Sequence, residues 1–172
     1  HAIHALAMCG DEAQIKSVEV IENIKYTEAK IYAFSRSGYN VGWLHGHLKA
    51  NVEKAFDYKP YALGNIAYSI GNALAFDKEM NAGYLYREEV VELLLKAVDE
   101  LYMHTNDMIS CFVALGRICD SRIERATISQ DLIQKVISSM NGRYIYMDES
   151  KQATEKCRRV ALKLINGEVL TV

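Results

Sequence analysis

Residues 63–76, LGNIAYSIGNALAF, and residues 87–98, REEVVELLLKAV, decide the fold, because they write one amphipathic helix after another. Apolar side chains fall at Leu63, Ile66, Ala67, Ile70 and Leu74, then at Val90, Val91, Leu94, Leu95 and Val98. Steps of three and four place such residues on one side of an α-helix. The pattern returns about 40 residues later, at Ile109, Phe112, Val113 and Cys119, then at Leu132, Ile133, Val136, Ile137 and Met140. Each copy predicts two helices joined by a polar loop, and the span 61–140 organises the rest of the chain.

Overlaying the copies sharpens the repeat. Ile70-Gly71-Asn72-Ala73 aligns with Leu115-Gly116-Arg117-Ile118 at an offset of 45, and Val90-Val91-Glu92 with Leu132-Ile133-Gln134 at 42. Val160-Ala161-Leu162 echoes Val113-Ala114-Leu115. Glycine in mid-helix loses about 1 kcal/mol of helix propensity against alanine. Its recurrence at one place in two copies therefore points to a neighbouring helix that comes close.

Working outward, residues 1–8 read as a short helix closed by Gly10, and Asp11 as the cap of a helix striped by Ile15, Val18 and Ile21. Thr27 is a candidate cap for a third helix through Ile31 and Phe34, ended by Gly38. A fourth, over 40–58, shows Val41, Leu44, Leu48 and Val52, and the single proline, Pro60, breaks the chain behind it. Helices then follow at 61–76, 86–103, about 106–119 with Asn106 as cap, about 129–140 and 150–165. Asn141-Gly142 and Asn166-Gly167 supply stops of the left-handed kind. Polar connections at 77–85 and 120–127, a tyrosine-bearing one at 143–148 and an apolar tail at 168–172 complete the reading.

In these features the chain resembles the HEAT/armadillo class of helical repeats, on Ile70-Gly71-Asn72-Ala73, Leu115-Gly116-Arg117-Ile118 and the striped helices at 90–98 and 132–140. The resemblance is clear over 61–165 and looser before it. The proline usual in the first helix of a HEAT unit is absent, and no third helix per unit is evident. It implies an all-α, right-handed α-α superhelix of about four helix pairs over 1–172, as a single domain. Its clearest repeats are 61–104 and 106–142, with partial repeats at both ends. It also implies a surface lined by successive second helices, usually concave, that binds another protein.

Composition agrees with a globular helical chain. Half of the 172 residues are hydrophobic and 24% are charged, which excludes intrinsic disorder. The formal net charge of −2 gives no global attraction for nucleic acid or an anionic membrane. No apolar run approaches the roughly 20 residues that span a bilayer, and Asp11 and Glu12 interrupt the first apolar segment. Cys9, Cys111, Cys119 and Cys157 show no paired spacing, which suits reduced thiols and a cytoplasmic (intracellular) address.

Chemistry is harder to find. His45 and His47 lie two apart and project to different sides of a helix, so they do not share a metal there. No nucleophile elbow, phosphate-binding glycine loop or zinc ligand series occurs. The chain is therefore read as non-enzymatic, with no catalytic residue, metal or cofactor. The candidate partner-binding residues are Glu88, Glu89, Glu92, Lys96, Asp99 and Glu100, where acids are opposed only by Arg87 and Lys96. Glu12, Glu19 and Glu22 would extend an acidic groove for a protein or basic peptide. The helix at 150–165 is the reverse, with Lys151, Lys156, Arg158, Arg159 and Lys163 against Glu155. Eight tyrosines near predicted helix ends, Tyr68 and Tyr86 among them, serve either as plugs or as contact points. The alternatives are a nucleic-acid-binding helical repeat, disfavoured by the acidic helices, and a helical bundle with a small-molecule pocket.

Overall fold

A computed structural model describes residues 2–9, 11–21, 27–37, 41–53, 63–76, 86–100, 104–122, 128–142 and 149–168. Among them are nine helices and no strand: α1 (Ala2–Cys9), α2 (Glu12–Glu19), α3 (Thr27–Ser37), α4 (Val41–Glu53), α5 (Leu63–Phe76), α6 (Arg87–Glu100), α7 (Thr105–Ile118), α8 (Gln130–Gly142) and α9 (Glu149–Asn166). The expectations for Gly10, Glu22, Gly38, Pro60, the connections at 77–85, 123–127 and 143–148 and the tail beyond 168 lie outside the described residues. So do the side chains of Glu12 and Glu19.

Several helix ends follow from local chemistry. The Asp11 carboxylate accepts from the Gln14 backbone N–H at 2.9 Å, and the Gln14 side chain accepts from the Asp11 N–H at 3.0 Å. This is the reciprocal box that satisfies two orphan donors of α2. At the far end, Gly167 has φ 75°, its N–H donates to the Leu164 carbonyl at 3.2 Å and that of Glu168 to the Lys163 carbonyl at 2.9 Å. That pair of bonds closes α9 in a Schellman motif.

Other ends depart from the reading. The N-cap of α7 is His104, without a side-chain cap bond, and Asn106 lies inside the helix. Thr27 is the first helical residue of α3 and not its flank. α8 runs through Asn141 and Gly142, and Gly167 is the glycine with positive φ among the described residues. An Asn-Gly pair allows a left-handed turn without forcing one.

The helices form two rows. α1 lies against α3, α3 against α5, α5 against α7 and α7 against α9; alongside them α4 lies against α6 and α6 against α8. The rows are cross-braced by α2 on α3, α4 on α5, α6 on α7 and α8 on α9. A second-row helix thus leans more on the first-row helix that follows it than on the one before it. One apolar core runs through both rows from Ile15 to Ile165, centred on Phe34, Leu44, Leu48, Ile70, Leu94 and Phe112, while Ile3, Val18 and Ala33 form a small cluster at the first helices.

The recurring glycines explain the first row. A Cβ placed on Gly71 of α5 would stand 2.7 Å from both Cα and Cβ of Ala114 on α7. One placed on Gly116 of α7 would stand 2.8 Å from Cα and Cβ of Ala161 on α9. Ordinary carbon–carbon contacts are about 3.5–4.0 Å, so only glycine admits these backbones so near each other. The same glycine-on-alanine seat is used twice, one unit apart.

Candidate functional site

The six candidate residues of α6 all lie on its outward side, but their situations differ. Glu88 is exposed and its carboxylate accepts from the Ser129 N–H at 3.2 Å, just ahead of α8. A carboxylate there satisfies a free amide and complements the positive end of the helix dipole. The Ser129 hydroxyl caps the same helix by accepting from the Leu132 N–H at 3.3 Å. Asp99 accepts from the Ser139 hydroxyl of α8. On the other flank, Glu89 meets Lys49 Nζ at 3.0 Å and His45 Nε2 at 3.1 Å, both from α4. The bond from Lys49 holds the Glu89 carboxyl below the usual carboxylate range.

Three of the six therefore tie α6 to its neighbours. Glu92, Lys96 and Glu100 are exposed and carry no ion pair or hydrogen bond among the described residues. Arg87, expected to oppose the acids, is buried instead. Its Nη2 donates at 3.1 Å to the Leu74 carbonyl near the end of α5. The cation that balances Glu89 is Lys49, which sequence reasoning missed because it belongs to another helix.

Between α6 and α8 lies a furrow of about 620 Å³ lined by Leu95, Asp99, Asp131, Gln134, Lys135, Ser138 and Ser139. Leu95 is the one apolar residue of this lining, and the others are polar side chains of the two helices facing each other across an open furrow.

The two histidines of α4 point apart, as their spacing requires. His45 is buried against Glu89 and the Tyr86 ring, 4.8 Å between centroids. His47 lies against the Trp43 ring, tilted, with 4.1 Å between centroids, and burial, then the nearby Lys30 charge, lowers its pKa. No group of three His, Cys, Asp or Glu side chains able to hold a metal occurs among the described residues. Burial pushes the Cys111 thiol up to about 12, so it is no nucleophile near neutral pH.

A second constellation lies on the outward side of the first row. Arg117 of α7 sits 4.8 Å over the Tyr68 ring of α5 and donates from Nη1 to the Asn72 Oδ1. Hydrogen bonding from Arg117, then Asn72, lowers the Tyr68 pKa. Asn72 and Arg117 are the equivalent residues of the two aligned glycine motifs, so the overlay that revealed the repeat also marked this pair. Of the tyrosines, only Tyr68 and Tyr86 among those near the predicted ends of 61–76 and 86–103 can be placed, the former exposed in mid-helix and the latter at the start of α6.

No family model, curated protein or solved structure matches the chain. Among the described residues no helix is long and apolar enough to cross a membrane.

Proposed function

We propose that the chain is a non-enzymatic protein-interaction module, a right-handed α-solenoid of the HEAT/armadillo kind that offers the outward sides of its helix rows to partners. The observation that carries this reading is the repeated glycine-on-alanine seat, Gly71 on Ala114 and Gly116 on Ala161. Repetition of one contact at one register is how a chain builds an open row instead of a closed bundle. Among the described residues no further helix covers either outward side, which leaves both to another macromolecule.

The rows are not equally tight. Backbones touch in the first row, whereas Lys49–Glu89, Glu88–Ser129 and Asp99–Ser139 hold the second row together through longer side chains. Two joined rows of unequal spacing bend toward the closer one, which makes the first row the inner side. The acidic side of α6 is then an outer surface and not the concave groove expected of the second helices, and Glu92 and Glu100 are its uncommitted acids among the described residues, for a basic protein segment.

The test uses a fluorescein-labelled lysine- and arginine-rich peptide, read by anisotropy at low and at physiological salt. Binding should weaken about tenfold when Glu92→Lys and Glu100→Lys are combined, with the melting temperature unchanged. Equal binding by the reversed variant would remove α6 as the site. Tighter binding of an oligonucleotide than of the peptide would favour the nucleic-acid alternative.

A further inference from the structure

The aligned seats fix the register of the first row, and that register has a consequence for its outward side. Three residues before Gly71 and Gly116 stand Tyr68 and Val113; one residue before Ala114 and Ala161 stand Val113 and Val160. Tyr68, Val113 and Val160 are therefore equivalent positions on α5, α7 and α9. Tyr68 is 44% exposed, Val160 37%, and Val113 between them is half-buried. An apolar ridge thus crosses three successive helices on the side turned away from the second row.

Among the described residues, the uncommitted charge beside this ridge is basic. α5 contains no charged residue. The described carboxylates of α7 and α9 are engaged: Asp107 accepts from the Gly64 N–H at 2.8 Å, and Glu155 is gripped by Arg158 and Arg159 at 2.7 Å each. Arg117 faces no carboxylate among the described residues, being held over Tyr68 by Asn72, and Lys156, one turn before Val160, carries no partner there either. An anion in this place would meet a guanidinium already fixed in orientation, so little rotamer freedom is lost on binding.

We infer that the Tyr68–Val113–Val160 ridge docks an extended acidic segment of a partner protein, with an apolar side chain at every third position and carboxylates between. Charge sets the sign of this occupant, and the spacing suits an extended chain. Packed helices lie about 8–10 Å apart, the glycine seats put this row at the near end of that range, and a polyproline II chain advances about 9.3 Å in three residues, one full turn. Each turn then seats one apolar side chain on the next helix, while the intervening carboxylates reach Arg117 and Lys156. A nucleic acid fits less well, because the middle of the strip is apolar and the free cations among its described residues are few. This site is separate from the acidic side of α6, and the two stand or fall independently.

The probe is a fluorescein-labelled peptide of successive Leu-Glu-Pro triplets, compared with Leu-Lys-Pro triplets and with a labelled oligouridylate, all by anisotropy on the full chain. The glutamate peptide should bind most tightly. Arg117→Gln and Val160→Asp should each weaken it about tenfold, and the Glu92→Lys/Glu100→Lys variant should not. Val160 is on the surface, so Val160→Asp tests the site even if Arg117→Gln alters the α5–α7 contact; melting curves report folding of both. The proposal is overturned if the lysine peptide or the oligouridylate binds as tightly, or if folded Val160→Asp retains full affinity.

Discussion

Replacing Gly71 with alanine sets helix propensity against interhelix distance. Propensity alone favours alanine in a helix by about 1 kcal/mol. The new Cβ, however, would stand 2.7 Å from Cα and Cβ of Ala114, about 1 Å inside an ordinary contact. The obstacle includes backbone, so no rotamer change relieves it, and α5 and α7 must move apart along their whole contact. Overpacking of this kind costs about 1–3 kcal/mol, and the backbone obstacle puts Gly71→Ala toward the upper end. The net expectation is a loss of about 1–2 kcal/mol, a fall of about 2–8 °C in Tm for a chain of this size. Gly46 is the internal control: it is helical and exposed, and a Cβ there meets nothing within 4 Å. Gly46→Ala should raise Tm by a few degrees. Adding Ala114→Gly to Gly71→Ala should restore stability only in part, because it removes one of the two crowded atoms. Thermal melts followed by circular dichroism decide the matter. If Gly71→Ala stabilises the protein as much as Gly46→Ala does, the close seat of α5 on α7 is wrong, and with it the register of the first row.

Asp107→Ala should cost about 0.5–2 kcal/mol, since it leaves the Gly64 amide at the start of α5 without its acceptor from α7; urea titration measures it, and Asp107→Asn should lose less. The grip of Arg158, then of Arg159, lowers the Glu155 pKa to about 2 from the ordinary 4.5. A depressed carboxylate stabilises the fold above its unfolded pKa, and that contribution is lost as pH falls from about 4.5 toward 2. Glu155→Gln should therefore be less stable near neutrality and show a flatter acid limb in Tm against pH. For the thiols, Cys111 and Cys119 are buried and Cys157 is half-buried. Iodoacetamide at pH 8 followed by peptide mass spectrometry should find Cys157 modified before Cys119 and Cys111, and Cys111 only after denaturation; early labelling of Cys111 would contradict its burial.

Periodicity made the helices legible because a helix is a local object: its stripe, its Asp11 cap and its Gly167 stop involve residues within five positions of one another. The doubled glycine motif went further and announced close neighbours, though it did not name them. What could not be read locally was who serves whom. Asp107 caps α5 from α7, Glu88 caps α8 from α6, and Lys49 balances Glu89 from α4, each across 40 residues or more. An acidic run on one helix therefore looked like a free surface until its neighbours arrived. Half of its charges hold the second row together, while Arg87, placed by sequence on the same side, is turned inward to the Leu74 carbonyl.

The amino-acid order by itself determined the helices and the spacing of the unit, because both depend on contacts between residues near in the chain. Only tertiary structure decided which helices touch, which charges stay uncommitted and which side carries the apolar ridge. Those outcomes depend on how near two backbones can come, and that distance is set at Gly71 and Gly116 by atoms 43 and 45 residues away, Ala114 and Ala161.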